Sequence, residues 1–190
     1  MLWDIVETLS ATVLIVGMVG KGYLPVWIGL PMMIIFVVYR GLINVIEMRW
    51  VTHLLRILFF AILIFFAVLR GGLLDAFSIV VKAIWGGFET ILAQLVRLAI
   101  EGYVAIYVIV LGFVLLVVAR KLGFELASEL IRKVFSIAAS VFALLVFVVT
   151  VGDGDLRGAL VLGSSILALT AALQGLGLML FGGFKKDKTR

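Results

Sequence analysis

The chain has 190 residues, 65% apolar and only 14% charged, with a net charge of +5 and a mean hydropathy of +1.32. A soluble domain is nearer about 45–50% apolar and about 25% charged, and one this small leaves too much surface exposed to hide the surplus. A water-soluble globule and a disordered chain are both excluded, which leaves an all-α, polytopic integral membrane bundle.

Composition removes several chemistries as well. There is no cysteine and one histidine, His53, so neither a Cys-ligated nor a His-rich metal site is expected, and no cofactor. The basic excess is read as cytoplasmic loop charge rather than a nucleic-acid surface. Asp4 and Glu7 stand where a cleavable signal peptide would carry its basic region.

In chain order, residues 1–20 are ambiguous: their apolar part spans only if Asp4 and Glu7 stay at a surface, which would make a sixth crossing. Runs free of charge predict crossings at 22–39, 102–119, 134–152 and 158–184. A fifth, 57–69, reaches length if it starts at Val51 and lets His53 and Arg56 snorkel to the interface. Five firm crossings put the basic stretches 40–56, 120–133 and 185–190 on one side and the acidic turn 153–157 on the other. That distribution predicts a multi-pass protein of the cell membrane with a cytoplasmic C-terminus. Trp27, Trp50 and Trp85 fall near the expected interfaces, and Tyr103 and Tyr107 open a crossing in the same way.

Residues 71–101 carry too many charges to cross. At 100° per residue Asp75, Lys82, Glu89 and Arg97 share a sector of roughly 80° with Thr90 inside it, which predicts an amphipathic helix in the interface. Gly86-Gly87 is expected to break or bend it. The organisation is thus an N-terminal membrane region (1–70), an interfacial helix (71–101), a three-span bundle (102–184) and a basic cytoplasmic tail (185–190).

The last crossing is unusual. At about 40 Å it exceeds a hydrocarbon core of about 30 Å. Ser164, Ser165, Ala168, Ala171, Ala172 and Gly175 fall on one face, with Leu162, Ile166, Leu169, Leu173, Leu176 and Leu180 opposite. Small residues at this spacing let helix backbones approach closely. Gly175 and Gly177 are the candidate bend.

The string from Gly152 through Val161-Leu162-Gly163-Ser164-Ser165 to Ala172-Leu173-Gln174-Gly175 resembles the pore-lining helix of the small-conductance mechanosensitive channels. The resemblance covers roughly residues 90–184. It implies a homo-oligomeric ring in the bilayer whose small face packs helix on helix. Leu162, Ile166, Leu169 and Leu173 are the candidate constriction, closing by dewetting. After Gly175 this chain departs from the family pattern, continuing Leu176-Gly177-Leu178-Met179-Leu180 where the family has a polar, Asn-containing break.

Two other readings stand beside it. A non-enzymatic structural or accessory subunit of a larger membrane assembly fits the same small, Gly/Ala-rich bundle. Gly152-Asp153-Gly154-Asp155 matches the G-x-G-D pattern of aspartyl intramembrane proteases, whose chemistry needs a second carboxylate sharing a proton. Only Asp4 and Asp75 are available outside the motif and tail, and Gly-Asp-Gly-Asp is also an ordinary turn. No catalytic residue is assigned.

Overall fold

The computed structural model describes residues 2–43, 49–123 and 125–182. They form six helices: α1 (Leu2–Gly20), α2 (Val26–Ile43), α3 (Arg49–Ile100), α4 (Val104–Lys121), α5 (Glu125–Gly152) and α6 (Leu156–Gly182). Helix is the only regular structure among the described residues, as the composition predicts. Glu47, Phe184 and the basic tail 185–190 lie outside the described residues. So do the side chains of Asp4, Arg40, Trp50, His53, Arg56, Arg120, Arg132, Lys133 and Leu180.

Glycine in the left-handed region closes the turn after α1, where the backbone does what a helix C-terminus needs. Gly22 has φ 74°, its N–H donates to the Val19 carbonyl and the Tyr23 N–H donates to that of Met18, at 3.1 and 2.8 Å. This pairing satisfies carbonyls that the last turn would otherwise leave unbonded.

Two helices form the centre. α1 has Ala11, Thr12, Ile15, Val16, Met18 and Val19 buried almost completely. The ambiguous N-terminal stretch is therefore the heart of the bundle. α6 is the other central helix and touches each of the other five. One continuous apolar core joins residues of all six helices, with α4 contributing Ile109. α6 packs on α1 as well as on α5.

α3 breaks at a different glycine pair from the one expected. The helix runs unbroken through Gly86-Gly87, where Thr90 donates to the Gly86 carbonyl at 2.7 Å. The break is at Gly72, with φ 72° and ψ 177°, a conformation essentially closed to residues with a Cβ. A side chain on Gly71 would run into Ile79 Cδ1. That residue is roughly two turns further on, which a straight helix would hold about 12 Å away. The segment after Gly72 thus bends back toward the one before it.

The returning segment is held on α1 by backbone contact. A Cβ on Gly17 would fall on the Ala83 carbonyl oxygen, and one on Gly87 on that of Val13. Ala83 and Gly87 are one turn apart, as are Val13 and Gly17, so the two helices run antiparallel with no side chain between them. This is the close approach that small residues permit. Asp75, Lys82, Glu89 and Arg97 are exposed, and Arg97 pairs with Glu101 at 2.7 Å. Being solvent-facing, that pair contributes little stability.

Among the described residues two helices are long and apolar enough to cross a membrane, α3 over Ile57–Ile100 and α6 over Leu156–Gly177. The stretches Ile5–Gly20, Val26–Tyr39, Ile106–Ala119 and Ser140–Gly152 fall in a shorter class of 10–17 residues. Those reach at most about 25 Å, against about 30 Å of hydrocarbon. Five long apolar helices are therefore not found among the described residues. The helices themselves track the charge-free runs, α2 and α4 having 18 residues each and 134–152 lying wholly within α5.

Candidate functional site

α6 holds most of the residues to which the sequence assigns a role. On its small face Ser164, Ser165, Ala168, Ala171 and Gly175 are buried and Ala172 half-buried. Gly175 approaches Ile5 of α1, where an added Cβ would lie 3.3 Å from Ile5 Cγ2. At Gly177 an added Cβ would lie 3.4 Å from Phe113 Cε2 of α4. Neither glycine interrupts the helix, which continues to Gly182. Both candidate-bend glycines lie at packing contacts. Their missing side chains let α1 and α4 come close.

The bulky face is covered too. Ile166 is fully buried, and Leu162, Leu169 and Leu173 are half-buried against the core. Leu176, toward the helix C-terminus, is exposed. Within one copy of the chain, all four candidate constriction residues are packed by the chain's own helices. A pore lined by them would require α6 to give up part of this packing.

Hydroxyl groups in the interior are mostly satisfied by their own helices. Thr12 donates to the Thr8 carbonyl at 2.7 Å, Ser165 to that of Val161 at 2.7 Å and Thr170 to that of Ile166 at 2.8 Å. Ser164 is different. Its Oγ is fully buried and has no hydrogen-bond partner, which is uncommon for a buried polar atom.

The Gly152–Asp155 motif is a helix cap. Gly154 has φ 82° in the turn, and Asp155 Oδ1 accepts the Gly158 backbone N–H at 2.8 Å. A carboxylate at this position satisfies one of the free donors of the first turn and opposes the helix dipole. Asp153 and Asp155 are both exposed. The turn reading accounts for every described contact of the motif.

Sequence reasoning missed a cleft between α1, α2 and α3. It offers about 90 Å³ and is lined by Glu7, Met32, Phe36, Tyr39, Phe59 and Ile62. Its aromatic wall is ordered: Phe36 and Phe59 lie 5.3 Å apart between ring centroids, and Phe36 and Tyr39 6.4 Å apart. Glu7 is half-buried. Its signal in the sequence was a lone acid one turn before the apolar run of α1. Nothing local shows that two other helices converge on it. Among the described residues no group of three or more His, Cys, Asp or Glu is placed to hold a metal ion.

Comparison of the chain with family models, with curated proteins and with solved structures finds no match in any of the three.

Proposed function

We propose that this protein is a membrane-embedded, non-enzymatic bundle that serves as a structural or accessory subunit among other membrane components. The observation that carries the reading is the distribution of apolar side chains. Leu74, Phe77, Leu111, Leu115, Val148 and Val149 are among many large apolar residues left exposed on α3, α4 and α5, while the interior helices carry the Ser, Thr, Ala and Gly. A soluble monomer rarely exposes such continuous apolar surface, whereas lipid is a good solvent for it. The topology in this reading is multi-pass with a cytoplasmic C-terminus, from the basic residues of 40–56, 120–133 and 185–190. The short apolar stretches of α2, α4 and α5 then cross by local thinning of the bilayer or with flanking residues at the interface.

A conducting ring is the second reading, and the buried, unpartnered Ser164 Oγ favours it. A polar atom of that kind at the bundle centre suits a water molecule, and α6 carries the resemblance to a pore helix. Mass measurement in lipid discs, followed by patch recording under applied tension, separates the two. The subunit reading expects a monomer or low-order assembly with no tension-gated current steps. A symmetric ring with α6 nearest its axis and stepwise currents under tension would overturn it.

A further inference from the structure

We infer that the exposed face of α3 between Asp75 and Arg97 contacts the same face of a second copy of this chain, the two helices antiparallel about a two-fold axis beside Trp85. The inference rests on the membrane-embedded reading for the direction of that axis and deepens it by naming a partner. Val81, Trp85, Phe88 and Leu92 are all exposed. Their spacing of four, three and four residues is that of a seam between paired helices. At 100° per residue they fall within a sector of about 60°. Ala83 and Gly87, which pack on α1, lie on the opposite side of the helix, so the seam faces away from the chain's own bundle.

Charge decides both the partner and the direction. Asp75, Lys82 and Glu89 are exposed and run along one edge of the seam at intervals of seven residues, about 10.5 Å of helix. None has an opposite charge three or four residues away, the spacing at which a helix pairs its own side chains. The other edge carries Phe77 and Ile84. In an antiparallel pair like edges meet, so Lys82 of each copy comes opposite Glu89 of the other, and the two-fold axis makes both pairs at once. The same register sets Asp75 opposite Val96, next to Arg97, whose guanidinium also pairs with Glu101 of its own helix. A parallel pair would set the charged edge against the partner's apolar one. Two copies with one orientation in a bilayer share an axis along its normal, so the paired helices lie flat. The charged edge is then toward water and Phe77 and Ile84 are toward lipid, as an interfacial helix requires. A helix built only to sit on an anionic lipid surface carries cations on its polar edge, whereas here the sign alternates.

The test is energy transfer between donor- and acceptor-labelled full chains in phospholipid vesicles, each labelled through Asp153→Cys, in an exposed turn away from the seam. Wild-type copies are expected to associate. Lys82→Glu and Glu89→Lys should each weaken self-association by about tenfold or more, because like charges then face each other in both pairs. Mixing the two variants puts acid opposite base again and should restore transfer to near the wild-type level. The double variant K82E/E89K should do so by itself. Wild-type transfer no greater than that of randomly scattered chains would overturn the proposal, since this face would then meet lipid alone. Single variants that associate as well as the wild type would overturn it too, as would a mixture no better than its components. In each of those cases the chain still floats with the vesicles. Its release by alkaline carbonate would instead overturn the membrane reading.

Discussion

Gly87→Ala is expected to lower the melting temperature of the purified protein by about 4–8 °C, while Gly86→Ala next to it leaves the temperature unchanged or slightly raised. By helix propensity alone the two should behave alike, each gaining up to about 1 kcal/mol. Their surroundings decide otherwise. A Cβ on Gly87 falls on the Val13 backbone, in a neighbouring helix that cannot rotate away, and one on Gly86 meets the Lys21 side chain, 2.8 Å from Cε. A flexible side-chain end moves at little cost. A helix backbone does not, and inserting a methyl group there costs about 3 kcal/mol, the upper part of the usual overpacking range. For a chain of this size each kcal/mol shifts the melting temperature by about 2–4 °C. Equal melting temperatures for the two variants in the same detergent would show that α1 and α3 are not in backbone contact.

A second large effect is expected at the seam between α5 and α6. Phe147 is fully buried, and its ring lies over Gly163, where an added Cβ would come within 2.5 Å of the ring edge. Gly163→Ala should destabilise the protein by about 2–3 kcal/mol because the ring has no empty space to enter. Phe147→Leu alone loses packing and costs about 1–2 kcal/mol. The double variant should be more stable than Gly163→Ala alone, with a coupling of about 1–3 kcal/mol, because the smaller side chain makes room for the methyl. Strict additivity in thermal or denaturant unfolding would contradict the contact. The same pair explains why Val161-Leu162-Gly163 carries a glycine at that position, independently of any pore.

How much of this was legible beforehand depends on which force set each feature. Helix boundaries followed charge and glycine, so α2, α4 and α6 fall within a few residues of the runs from which they were read. The small stripe of α6 was legible because packing in an apolar medium selects small residues. The central position of α1 was not, since a buried membrane helix and a lipid-facing one are both apolar. Gly17 and Thr12 were the only hints. The two glycine pairs of α3 show the limit most clearly. Gly71-Gly72 and Gly86-Gly87 look alike in sequence, yet one bends the chain and the other admits a neighbouring helix. Local propensity cannot separate those outcomes, because tertiary contact decides them. The surroundings of Glu7 were not legible for a similar reason: they include Phe36 and Phe59, far away along the chain.

The most direct test of a bundle with lipid outside and α1 and α6 at its centre is a spin-label scan in lipid discs, which the absence of native cysteine makes free of background. Labels replacing Phe77, Leu111 and Val148 should relax several-fold more strongly with oxygen than with a water-soluble nickel complex, and labels at Val37 and Ile166 should be shielded from both. If nickel reached Leu111 and Val148 as freely as oxygen does, the outer faces would not be in lipid. If it reached Ile166, α6 would line water, and the enclosed bundle described here would be wrong.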